Sequence, residues 1–307
     1  MITILNALFP VFVLIVMGRI LRHYGMTDDV FLKTADRLVY YIFFPAMLFW
    51  KIGGARSDGG IDWPFCLACL CAIAVLYILS TLYIRFAVSD YEAGSFSQSC
   101  YRFNTYIGMA VVINAVGEEG ALHFGIMVGF AIPLINFLAV STLIWFSGKN
   151  FTMKERICLT ARSLISNPLI LACIAGIFYA RYVSTFPVFL DNSFRLLTSV
   201  TLPLALFSVG GVLTFEKLRG WFGLSLAAAI LKLLIFPLVG YAFLKLFHVS
   251  EIPFRAGMIF FALPTSTAIY VLSSQLNSNT ELASASIVLS TVLSFISLSA
   301  VLVLIGV

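Results

Sequence analysis

Charge is scarce in this chain. Lys, Arg, Asp and Glu make up 11% of its 307 residues, where a soluble domain carries about 25%. Histidine is scarcer still: the three present, His23, His123 and His248, fall at the ends of apolar runs and are given no chemistry. The chain has no H-E-x-x-H, no G-x-S-x-G and no pair of acidic residues deep in an apolar run, which argues against an intramembrane hydrolase. Of the six cysteines, Cys66, Cys69 and Cys71 form a C-x-x-C-x-C cluster. It lies inside one apolar run with no His or carboxylate in it, so it reads as packing rather than as a metal site or disulfide framework. The amino terminus lacks the basic n-region and small-residue cleavage site of a signal peptide, so the first apolar run is expected to remain as a helix.

Apolar residues fill the space that charge leaves. The chain is 61% hydrophobic, with a mean hydropathy of +1.03. Because about 20 helical residues cross the hydrocarbon layer, its long apolar runs mark an all-α polytopic protein of the lipid bilayer. The longest polar stretches, 51–62 and 89–102, leave no room for a soluble domain. Ten spans are expected, at 4–21, 35–50, 64–86, 98–116, 122–146, 163–180, 196–213, 221–247, 253–275 and 282–305. The second is short, but Tyr40, Tyr41 and Trp50 bracket it as interfacial aromatics. The net charge of +5 sits in connections and implies orientation rather than a nucleic-acid partner. With the amino terminus outside, twelve Lys and Arg, Arg102 and Lys149 among them, fall on cytoplasmic connections and six, Arg56 among them, on the other face. Both termini are therefore expected on the outer side of the inner (plasma) membrane.

An internal repeat organises the ten spans. Pro45-Ala46-Met47-Leu48-Phe49 reads like Pro203-Leu204-Ala205-Leu206-Phe207, an offset of 158 positions. The same offset joins Pro10 to Pro168, Trp63 to Trp221 and Gly53 to Gly211. The chain thus divides into two five-span repeats, 1–150 and 151–307. Five is odd, so the second repeat enters the membrane inverted relative to the first. Span four then pairs with span nine, and both carry a polar interruption: Phe103-Asn104-Thr105-Tyr106-Ile107-Gly108 and Phe261-Ala262-Leu263-Pro264-Thr265-Ser266-Thr267-Ala268. Proline removes a backbone donor and clashes with the preceding turn, so span nine is expected to break at Pro264. A proline kink with hydroxyls bonding back to the preceding turn is the plainer alternative. Phe103 stands where that proline stands, so span four is expected to break less decisively.

Together with Asn167-Pro168-Leu169-Ile170, the segments at 43–49, 202–207 and 263–265 make the whole chain resemble a bacterial member of the auxin efflux carrier family. That family sits within the wider bile acid sodium symporter superfamily. The resemblance implies a scaffold of spans one, two, six and seven, and a moving core of spans three to five and eight to ten. It also implies an X-shaped crossing of broken spans four and nine, with Asn104, Thr105, Pro264 and Thr265 at the crossing. A homodimer, if one forms, is expected to pair through the scaffold spans.

The chemistry expected at such a crossing is anion binding. A broken helix turns a half-helix amino terminus, with free N–H groups and the positive end of its dipole, toward the membrane midplane. Asn104, Thr105, Tyr106, Pro264, Thr265, Ser266 and Thr267 are the candidate substrate contacts. Asn136, three residues after Pro133, is added to them, although an interhelical hydrogen bond explains it somewhat better. Lys232, in mid-span, is either a fixed positive charge near the anion or a donor to carbonyls freed by a broken helix. No cofactor is expected, and sodium coupling stays open. The function expected is secondary transport of a small organic anion such as a mono- or dicarboxylate, by alternating access. A membrane receptor for the same ligand is the runner-up, and an intramembrane enzyme comes third.

Overall fold

The computed structural model describes residues 2–54, 61–146, 152–183 and 185–306, which contain helices and no strand. The described helices fall into ten stretches, numbered here as spans. Span one is α1 (Ile2–His23). Span two joins α2 (Asp29–Leu38) and α3 (Phe44–Gly53) through a π-helical turn at Val39–Phe43. Span three is α4 (Trp63–Ala87), and span four begins with α5 (Asp90–Tyr101). After a break, α6 (Thr105–Phe146) completes span four, turns at Gly117 with φ 84°, and continues as span five. Span six is α7 (Met153–Ile165) with α8 (Pro168–Tyr182), and span seven is α9 (Val188–Val212). Span eight is α10 (Leu218–Ile230), a second π-helical turn at Leu231–Ile235, and α11 (Phe236–Leu246). Span nine is α12 (Glu251–Phe261) with α13 (Ala268–Gln275), and span ten is α14 (Thr280–Leu304).

Among the described residues, six helical stretches are long and apolar enough to cross a membrane, and Asp90–Phe146, at 57 residues, is long enough to do so twice at about 20 residues a crossing. Their ends are set locally. Asp28, Asp62, Asn167 and Asn279 accept hydrogen bonds from backbone N–H groups of the turns they precede, and Pro168 follows Asn167 at the first helical position.

Span four starts eight residues before the expected boundary. Ser89 and Glu92 form a reciprocal capping box that begins α5 at Asp90. The polar stretch at 89–102, of which only 98–102 was expected within a span, is thus mostly helix, and Ser95, Ser97, Gln98 and Ser99 are buried in it. Their polar groups are answered internally. The Ser95 hydroxyl donates to the Asn279 carbonyl at 2.7 Å, and the Ser99 hydroxyl to the Ser95 carbonyl at 2.8 Å. A polar helix can lie at this depth because protein, not lipid, surrounds it.

Spans one and seven pack together, as do spans two and six. Both contacts depend on glycine. A methyl group on Gly18 would run into the Phe207 carbonyl, and one on Gly176 would come within 3.3 Å of the Phe49 carbonyl. Gly18 and Gly176 stand 158 positions apart in sequence, and so do Phe49 and Phe207. The remaining spans enclose the two breaks: α5 packs on α6, α13 and α14, and α12 packs on α6. The expected boundary at 150/151 lies outside the described residues, as do Arg56 and Lys149 of the charge tally.

Candidate functional site

Both polar interruptions are breaks, and they touch. Span four leaves its helix at Arg102, whose ψ of 148° is extended, and re-enters one at Thr105. Span nine is non-helical from Leu263 to Ser266. The Asn104 N–H donates to the Pro264 carbonyl at 2.9 Å, so one freed backbone group satisfies another. The plainer reading of Pro264, a kink within a continuous helix, does not hold.

Span four breaks without a proline. Asn104 does the work: its Oδ1 accepts from the Tyr106 and Ile107 N–H groups, both at 3.1 Å, and so caps α6 as a fresh helix. Phe103, in the proline's place, is buried with its ring edge-on to Phe260 at 4.6 Å between centroids. That aromatic contact holds the two spans together beside the hydrogen bond. The capping also corrects one expectation, because the amino terminus of α6 is not a bare anion socket.

Thr265 is fully buried beside the junction. Its N–H donates to Ser290 Oγ of span ten at 3.2 Å, while its own hydroxyl has no hydrogen-bond partner. Buried polar groups are rarely left unsatisfied, so this orphan hydroxyl at a helix break stands out from the rest of the interior. Thr105, Tyr106, Ser266 and Thr267 flank the breaks and are half-buried. The Tyr106 ring lies 4.9 Å from that of Phe44 in span two. Ser266 Oγ accepts from the Ala268 N–H at 3.3 Å, at the start of α13.

Asn136 and Lys232 stand apart from that group in different ways. Asn136 reaches the break through Arg102, accepting from its Nη2 at 2.8 Å. Lys232 is fully buried in the second π-helical turn, and its ammonium has no hydrogen-bond partner. It lies over the rings of Phe236 and Phe260, at 4.3 and 5.9 Å from their centroids. The reading in which Lys232 ties down freed carbonyls is thus overturned. Cation–π attraction to two rings holds it instead.

Arg102 at the break was not among the residues singled out from the sequence. Counted above among cytoplasmic connections, it is buried at the end of α5, where Nη1 also donates to Gln98 Oε1 at 3.1 Å. The S-x-x-E box at Ser89 would have revealed it, by starting the helix early enough to place residue 102 deep in the span.

A helical chain with six such apolar stretches, and with irregular backbone enclosed by protein, is a multi-pass membrane protein. Residues 152–302 match the family described as Membrane transport protein. The match takes in three of the four segments on which the resemblance rests. Over nearly its whole length the chain is also similar to an uncharacterized transporter of Methanocaldococcus jannaschii. The two are 21% identical over 300 residues, covering 95% of this chain and 96% of the relative. The family's description and the relative's name both speak of transport.

Proposed function

We propose that this protein is a secondary carrier of a small organic anion, a mono- or dicarboxylate, bound where spans four and nine meet and moved by alternating access. The observation that carries this reading is the Asn104–Pro264 hydrogen bond. It seals two interrupted helices against each other inside the protein, and broken helices in corresponding halves are how carriers build a midplane site. Orphan Thr265 Oγ1 supplies a donor there. Arg102 and Lys232 make the interior positive, which favours an anion.

The two halves are inverted repeats, and spans four and nine form their crossing. The reciprocal glycine contacts support this, because span one meets span seven as span six meets span two. Removing Arg102 leaves eleven basic residues against six, and this still favours both termini outside. Lys232 stands in for a coupling cation, so binding needs no sodium.

Flux in proteoliposomes tests the function. If the protein is a carrier, vesicles that contain it take up labelled carboxylate unchanged, above the level of protein-free vesicles. A receptor binds label without moving it, and an enzyme alters it; either result would refute the proposal.

A further inference from the structure

Arg102 carries more charge than the protein around it answers. A guanidinium has five N–H donors and stays protonated in proteins. Two of those donors are used, one on Gln98 Oε1 and one on Asn136 Oδ1, and both acceptors are neutral amide oxygens. The ion pairs among the described residues join Arg22 to Asp29, Lys51 to Glu118, Lys217 to Glu281 and Arg255 to Glu251, so no carboxylate neutralises Arg102. Three donors and the whole positive charge are left over in a side chain that is 8% exposed.

The surroundings orient that surplus rather than cancel it. Gln98 is itself fixed, since its Nε2 donates to the Gly94 carbonyl at 3.2 Å and so turns Oε1 toward Arg102. Asn136 holds the other arm from span five. Two arms held from two helices fix the plane of the fork, and a planar fork with spare donors matches a carboxylate bidentately. Two residues further on, Asn104 makes the bond that joins the breaks.

We infer that Arg102 selects the substrate: it docks a carboxylate of the bound anion, with Gln98 and Asn136 as positioning residues. This rests on the anion-carrier reading and sharpens it. The substrate must present an ionised carboxylate, and the uncharged amide of the same shape is rejected.

The test uses thermal stabilisation of the full-length detergent-purified protein by malonate, succinate, propionate and benzoate, each beside its amide. Wild-type protein is expected to be stabilised by at least one acid and by none of the amides. Arg102→Gln should weaken that binding at least tenfold. Because loss of Arg102 can also harm folding, Asn136→Asp carries the decision. It places a carboxylate on the atom now 2.8 Å from Nη2, keeping the bond and neutralising the charge. Asn136→Asp should keep the melting temperature of the free protein and lose at least tenfold in acid affinity. Acid binding within twofold of wild type in Asn136→Asp would overturn the inference and leave the carrier reading standing. Wild-type protein stabilised by none of the acids would overturn both.

Discussion

At the scale of single residues, the two hydroxyl and amide positions expected to bind substrate behave differently. Thr265 Oγ1 is unpaired, so Thr265→Val removes a buried hydroxyl that bonds nothing in the protein. Its stability cost should stay within about 1 kcal/mol in a thermal or chemical melt, since no hydrogen bond is lost, while substrate affinity falls. Asn104 is structural as well as functional. Asn104→Leu strips the cap from α6 and should cost about 1 kcal/mol, whereas Asn104→Asp keeps an oxygen on Tyr106 and Ile107 and should melt near wild type. Lys232→Met should not destabilise the fold. It loses cation–π contacts worth about 2 kcal/mol when desolvated, but also relieves an ammonium with no acceptor. If Lys232 supplies fixed charge, that variant loses more affinity for a dianion than for a monoanion. An unchanged preference, or a strict sodium requirement in wild type, would refute that role.

At the scale of elements, what the sequence shows depends on how each break is made. The break in span nine is written in Pro264 and the three hydroxyl residues after it, because proline cannot continue a helix. The break in span four is written in Asn104, but a capping asparagine looks like many other polar residues. The first half of span four was hidden for a related reason. Ser95 and Ser97 resemble a loop, and only partners in the fold, such as the Asn279 carbonyl that accepts from Ser95, reveal a buried helix. The π-helical turns at Val39–Phe43 and Leu231–Ile235 each run directly into a Phe-Pro pair, Phe44-Pro45 and Phe236-Pro237, whose proline removes a helical hydrogen bond, and they place Tyr40 and Lys232. Helix pairing was visible only in part. Gly210 is close to the Ile15 carbonyl, with no space for a methyl group. Overpacking costs about 1–3 kcal/mol where side chains can yield, and a backbone carbonyl yields less. Gly210→Val should therefore lower the melting temperature by several degrees and part spans one and seven. A wild-type melt would show that this contact is not needed.

At the scale of the whole molecule, alternating access requires the spans that enclose the breaks to move against spans one, two, six and seven. The ties between the two groups suit such movement. Lys51 at the end of span two pairs with Glu118 at the turn between spans four and five, and Asn114 donates to the Ala7 carbonyl at 3.3 Å. Exposed pairs of this kind are worth about 1 kcal/mol or less, so they can open at each cycle. Cysteines replacing Lys51 and Glu118 should cross-link on oxidation and stop flux, and reduction should restore it. Unimpeded flux through the cross-linked protein would mean that these parts do not separate. The central claim is that substrate binds where the two broken helices meet. Its most direct test is a structure determined with a saturating concentration of whichever carboxylate stabilises the protein most. The account predicts density for that carboxylate within hydrogen-bonding distance of Arg102 or Thr265, beside the Asn104–Pro264 junction. Density confined to the apolar groove lined by Leu234, Tyr241 and Ile296, or to any position remote from the breaks, would contradict it.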